Sequence, residues 1–405
     1  MYYKRHLEEH VTVLNRSFKI LYIGGPRQVG KTTMLQHIAK LHHMNYVTLD
    51  DLTIRRLATN DPELFLATHA SPLLIDEVQY APELFPYLKM HVDTSEKKGQ
   101  YWLTGSQQFS IMKNVKESLA GRVGILSLLG FSRAEIAREK RTREIFFFSD
   151  QLKTNKKRPA PLSVFDLMHR GFFPALWKRD APPWQTFYNS YLQTYVDRDL
   201  REMFSVSKIS TFHTFLQLCA ARTGQILNYS DLARDCGISV HSAIEWLGIL
   251  ENSMLIYLLH PYATNISKRL IKSQKIYFLD TGFAAYLTKW NTPETLEHGA
   301  MAGAFFETFV ISEIIKSFLY RGEEPPITFF RDKEGHEVDV LIEKNNVLYP
   351  VEIKMKASIS EQDFAGIEYF RKKYSRAKKG YVVCLSRKNT PFDRNNTIVS
   401  YEEIS

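Results

Sequence analysis

Eight consecutive residues, Gly25-Pro26-Arg27-Gln28-Val29-Gly30-Lys31-Thr32, restrict this chain more than any other stretch. They satisfy the phosphate-loop pattern Gly-x-x-x-x-Gly-Lys-Ser/Thr at every fixed position. The apolar run Ile20-Leu21-Tyr22-Ile23 before them reads as a strand, and Thr33 to Leu41 after them reads as a helix. The chemistry needs that context. Two glycines let the backbone curl so that successive N–H groups face phosphate oxygens, and the helix that follows adds its positive end. Lys31 then reaches the outer phosphates, and the Thr32 hydroxyl is placed to ligate Mg²⁺. The pattern predicts a nucleoside triphosphate site built from residues 25–33, with Thr33 closing it.

A second candidate strand, Asn45 to Asp50, is followed by Leu73-Leu74-Ile75-Asp76-Glu77. A buried parallel strand reads as a continuous apolar run, and its C-terminal end opens at the nucleotide crevice. Asp76 there is the candidate Mg²⁺ holder, and Glu77 the residue that orients and deprotonates the attacking water. The strand read over Gly99 to Ser106 carries two candidate γ-phosphate sensors, Thr104 and Ser106, between which the sequence does not choose. Ser118-Leu119-Ala120-Gly121-Arg122 places an arginine where ring ATPases keep a finger for a neighbour's γ-phosphate.

The wording of these segments resembles the AAA+ ATPases, more narrowly a prokaryotic group that joins such an ATPase to a C-terminal domain of unknown function of the DUF4143 type. The resemblance implies ATP as the nucleotide and Mg²⁺ as its cofactor. It implies an α/β AAA+ domain over residues 1–145 with a helical lid and linker over 146–208, where Arg198 or Arg201 is a candidate lid sensor. Interleaved acids there more simply suggest a salt-bridged helix face. It also implies assembly into a homo-oligomer.

Residues 209–295 read as a winged helix-turn-helix. A capping serine, Ser230, opens a short helix ending at Gly237, a second helix runs from Val240 to Leu250, and two apolar strands flank a basic segment with Lys268, Arg269, Lys272 and Lys275. Such modules set their second helix in the DNA major groove and their wing on phosphates. Its exposed face, with Ser239, His241, Ser242 and Glu245, has no arginine or lysine for base reading, so any contact would be to the backbone.

In residues 296–405 an amphipathic helix opens at Ala304 and carries Glu307. Strands around Asp339 and Glu352-Ile353-Lys354 follow. Alternate strand residues share a face, so Glu352 and Lys354 point together and Asp339 lies on the polar face of its strand. This arrangement resembles the PD-(D/E)xK nuclease fold, which is restriction-endonuclease-like. The resemblance implies Asp339 and Glu352 as metal ligands, Lys354 beside the scissile phosphate and Glu307 as a further ligand or positioner.

A net charge of +9 over 405 residues adds a polyanionic partner to the expectations, DNA before RNA. Three scattered cysteines point to a reducing, cytoplasmic setting with no disulfide or zinc framework. No apolar run spans a bilayer, so no membrane is expected. Three outputs of ATP binding and hydrolysis follow from these readings: action on nucleic acid, gating of a nuclease at Asp339, Glu352 and Lys354, or a switch whose C-terminal domains bind protein partners.

Overall fold

A computed structural model describes residues 2–105, 115, 118–139, 147, 162–199, 209–263 and 273–404. The N-terminal unit is a parallel five-stranded sheet. After helix α1 (Leu7–Asn15) come β1 (Ile20–Gly24), α2 (Lys31–Ala39), β2 (Asn45–Thr48), α3 (Leu52–Asn60), α4 (Pro62–Thr68), β3 (Leu73–Asp76), α5 (Leu84–Asp93), β4 (Tyr101–Thr104), β5 (Val123–Ser127) and α6 (Arg133–Ile136). The strand order is β2-β3-β4-β1-β5. Strands β1, β3 and β4 are buried at every position and apolar up to their C-terminal residues, because helices cover both faces. Leu21, Ile23, Leu74 and Trp102 enter one core, while their neighbours Ile20, Tyr22, Ile75 and Leu103 enter the other. Burial of such runs, at about 25 cal/mol per Å² of apolar surface, is what holds the sheet closed around the loop that leaves β1.

A helical middle unit follows, with α7 (Val164–Arg170), α8 (Trp184–Asp199), α9 (Ile209–Ala220), α10 (Tyr229–Cys236) and α11 (Val240–Asn252). Next comes a hairpin of β6 (Ile256–Leu259) and β7 (Lys275–Phe278), paired antiparallel, and then α12 (Thr281–Leu287) and α13 (Pro293–Glu297). The cap of α10 differs from the expectation. Asn228 accepts from the backbone N–H groups of Ser230 and Asp231, so Ser230 lies inside the helix. Asparagine outcompetes serine here because it sits one position before the helix, where its carbonyl reaches the second and third N–H groups. Ser239 caps α11 in the same way.

The C-terminal unit opens with α14 (Ala302–Leu319) and continues with β8 (Ile327–Arg331), β9 (Glu337–Lys344), β10 (Val347–Lys354), α15 (Ala365–Lys373), β11 (Gly380–Cys384), β12 (Thr390–Pro391) and β13 (Asn396–Ser400). The sheet order is β12-β13-β11-β10-β9-β8, antiparallel from β8 to β10 and parallel from β10 to β13. Helix α14 corrects the amphipathic reading, since it is buried on nearly every side. It packs against β10, β7, α7 and α12 at once. Its Glu313 and Lys316 are buried and paired at 2.9 Å, and they reach the first unit, where Glu313 accepts from the Arg133 N–H and Lys316 donates to the Phe131 carbonyl. One continuous hydrophobic core therefore runs from Leu21 and Ile23 through Phe215 and Phe278 to Phe309 and Val351. No helix of the described residues is long and apolar enough to cross a membrane.

Candidate functional site

The loop between β1 and α2 borders a cavity of about 980 Å³. Its floor is Arg27, Gln28, Val29, Gly30, Lys31, Thr32 and Thr33, and Glu77 enters from the end of β3. Gly25 has a φ of +149°, and a Cβ there would stand 2.0 Å from the Leu128 carbonyl oxygen, so the first loop glycine has no substitute. Lys31 is buried, and its ammonium donates to the carbonyls of Gly25 (2.8 Å) and Pro26 (2.7 Å). A phosphate has to draw it out of those two bonds. The first turn of α2 presents Thr32, whose hydroxyl donates to both carboxylate oxygens of Asp76 at 2.9 and 3.1 Å.

Asp76 is buried at the end of β3 and also accepts from the Tyr46 hydroxyl at 3.2 Å. Burial raises its pKa, and the bond from Thr32 works against that rise. Glu77 sits in left-handed backbone at φ +55°, which turns its side chain out of line with β3, and it accepts a short hydrogen bond from Gln79. Oxygen donors on Thr32 and Asp76, joined across two elements, form a hard donor set that suits Mg²⁺.

The sensor and finger positions are placed less directly. Thr104 is fully buried, and its hydroxyl donates to the Ile23 carbonyl at 3.0 Å, tying β4 to β1. Ser106 lies outside the described residues. Arg122 pairs with Asp93 through two bonds at 2.5 and 2.9 Å, just before β5. Because Ile20 faces Val123 and Gly24 faces Ser127, Arg122 stands at the end of the sheet opposite the phosphate loop. It therefore lies away from the phosphate loop of its own chain. The side chains of Arg198 and Arg201 are outside the described residues.

Arg5 is a site residue that the sequence did not announce. It is buried, and its guanidinium bonds Glu135 (3.1 Å), the Val29 carbonyl in the phosphate loop (2.8 Å), the Leu129 and Gly130 carbonyls (2.8 and 3.2 Å) and the Tyr320 hydroxyl (3.1 Å). It binds the loop to the exit of β5 and to the end of α14. Tyr2 and Tyr3 beside it wall the cavity, with Gln193 and Thr194 of α8 opposite. The Tyr2 ring stacks on His37 with centroids 4.0 Å apart. An arginine two residues after a pair of tyrosines was the available signal, but nothing local says that it is buried.

In the C-terminal unit the four expected residues do converge. Lys354 lies 2.6 Å from Glu352 and 3.8 Å from Asp339, and Asp339 also accepts from the Ile353 N–H at 2.8 Å. Glu307 joins them from α14. Asp339 and Glu352 are both buried on this face, while Lys354 and Glu337 stay partly exposed. Burial and then Asp339 push Glu307 up to about 7, and the same two causes raise Glu352. Lys275 corrects the basic-wing reading. It is 4% exposed and lies among Glu337 (2.6 Å), Glu307 (3.2 Å) and Asp339 (3.8 Å). Burial would lower its pKa, but Glu307, Asp339 and Glu337 together raise it. A lysine at a strand start reads as exposed in sequence; here α14 and β9 cover it. Tyr277, two residues on and on the same strand face, donates to Glu307 at 2.5 Å. Lys268, Arg269 and Lys272 lie outside the described residues. On α11, His241 and Glu245 are exposed and 3.5 Å apart, beside exposed Val240 and Ile244.

Comparison with known proteins divides the chain in three. Residues 17–137 match an AAA domain, residues 162–294 a domain of unknown function (DUF8612), and residues 302–404 a domain of unknown function (DUF4143). The chain is 27% identical over 342 residues to the uncharacterized protein Rv2008c of Mycobacterium tuberculosis, covering 84% of this chain and 71% of that one. It is 22% identical over 422 residues to the uncharacterized protein MJ1637 of Methanocaldococcus jannaschii, covering 94% and 83%. Among solved structures, the Walker-type ATPase PABY2304 of Pyrococcus abyssi aligns with a TM-score of 0.41 at 14% identity over 71% of this chain and 96% of that one.

Proposed function

Since residues 17–137 form an AAA domain and residues 302–404 a DUF4143 domain, we propose that the chain binds ATP with Mg²⁺ in the cavity above the phosphate loop and hydrolyses it. The observation that carries this reading is the bond from the Thr32 hydroxyl to Asp76, which joins the phosphate loop to the end of β3 beside Lys31 and Glu77. Thr32 and Asp76 are the residues to hold Mg²⁺, which when bound neutralises charge between the outer phosphates. The loop N–H groups and the N-terminus of α2 orient the phosphates. Lys31 exchanges the carbonyls of Gly25 and Pro26 for phosphate oxygens. Glu77, at the mouth of the same cavity, accepts a proton from the attacking water, and Gln79 fixes its carboxylate. Lys31→Ala is expected to abolish ATP turnover while leaving the far-UV circular dichroism unchanged; turnover retained in that variant would refute the assignment.

For the output of this cycle, the exposed face of α11 favours a protein partner over the nucleic acid that the net charge suggests. Val240 and Ile244 are 42% and 51% exposed there, and α11 itself carries no lysine or arginine to meet phosphates. The ATPase rate is expected to be the same with and without duplex or single-stranded DNA. Salt-sensitive stimulation by either DNA would restore the nucleic-acid reading.

A further inference from the structure

The carboxylates that resemble a nuclease metal site already surround a cation, and it belongs to the chain. Lys275 opens β7 in the middle unit, whereas Glu307 comes from α14 and Glu337 and Asp339 from β9 of the C-terminal unit. The ammonium lies 2.6, 3.2 and 3.8 Å from Glu337, Glu307 and Asp339. Its side chain is 4% exposed, so water does not compete for those contacts. Tyr277 of the same strand holds the Glu307 oxygen that Lys275 contacts. The second Asp339 oxygen is turned to the Ile353 N–H, and Lys354 neutralises Glu352 from the other side.

Oxygen donors of this kind suit a divalent cation chemically, but the position is taken. A metal shared by Glu307 and Asp339 needs oxygens at about 2.0–2.6 Å. It would then have to enter the volume that the ammonium fills, against a like charge that burial leaves poorly screened. Between Asp339 and Glu352 a metal would meet the Lys354 ammonium instead, 3.8 and 2.6 Å from them, so the residues do not fit a metal while β7 is docked.

We infer that Lys275 is the resident cation of this carboxylate cluster, so that docking of the β6–β7 hairpin and binding of a divalent metal exclude one another. The contact is a lock between the middle and C-terminal units. It stands whether or not the phosphate loop hydrolyses ATP. A nuclease reading of Asp339, Glu352 and Lys354 then requires β7 to withdraw first.

The test is Mn²⁺ binding by the full-length protein without nucleotide, followed through the electron paramagnetic resonance of free Mn²⁺. Wild type and Asp339→Asn are expected to give superimposable isotherms, because the cluster takes no metal in either. Lys275→Met is expected to gain one site, lost again in the Lys275→Met, Asp339→Asn double variant. A wild-type site that Asp339→Asn removes would overturn the inference, as would a folded Lys275→Met protein that gains none. Removing a buried ammonium from among carboxylates strains folding, so melting temperature is the second readout. Mn²⁺ is expected to raise that of Lys275→Met by about 2 °C or more and to leave wild type unmoved. An unstable Lys275→Met protein that Mn²⁺ fails to recover would equally contradict it.

Discussion

Arg5 shows how much one buried charge can organise. Its guanidinium satisfies three carbonyls, a carboxylate and a phenol, so the charge is paired and every neighbour gains a donor. Deleting it would leave Glu135 buried without its ion pair and the Val29 carbonyl of the phosphate loop without this donor. Arg5→Met is therefore expected to cost about 3–5 kcal/mol, the range for breaking a buried pair from one side, measured as an earlier first transition in urea. An unchanged transition would mean that the pair is dispensable. Lys275 teaches the same lesson about legibility. Local sequence marks a lysine as a surface residue by default, and the carboxylates that bury it lie 32, 62 and 64 positions away (307 − 275, 337 − 275, 339 − 275). Glu337 was within reach, since it shares a strand face with Asp339 two residues on. Lys31, Thr32 and Asp76 were legible because a phosphate loop fixes their spacing and the apolar strand before Asp76 identifies itself.

At the scale of elements, close approaches set the geometry. Helix α15 starts over the carboxylate cluster, and a Cβ on Gly366 would stand 2.1 Å from the Glu337 carbonyl and 2.6 Å from a Glu352 oxygen. Gly366→Ala is expected to push α15 off β9 and β10 and lower the melting temperature of the C-terminal unit, with ATP affinity unchanged. A melt identical to wild type would show that the helix rides above the sheet with room to spare. Strands β1, β3 and β4 could be read directly, because continuous apolar runs bounded by polar turns admit little else. The character of α14 could not. Its polar residues Glu313, Lys316 and Glu307 suggest a wet face, but each meets a partner from another unit, and helical periodicity carries no information about such partners.

Across the whole molecule, the phosphate loop and the carboxylate cluster sit at two ends of one connected set of contacts. Arg5 links the Val29 carbonyl to Tyr320, at the C-terminal end of the helix that carries Glu307. Tyr320 also donates to the Gly130 carbonyl, and Glu313 holds the Arg133 N–H, so α14 is fastened to the exit of β5 at several points. The three matched segments thus fold around a shared core while keeping chemically distinct sites. The roles proposed for Lys31, Thr32, Asp76 and Glu77 depend on the cavity above Lys31 being a hydrolytic ATP site. The most direct test is ATP binding and turnover measured together in Glu77→Gln. This variant keeps the loop, Thr32 and Asp76 but removes the proposed base, so it is expected to bind ATP as wild type does while turnover falls by about 10² or more. Turnover at the wild-type rate would contradict the role given to Glu77, and loss of ATP binding by the wild-type protein itself would contradict the site.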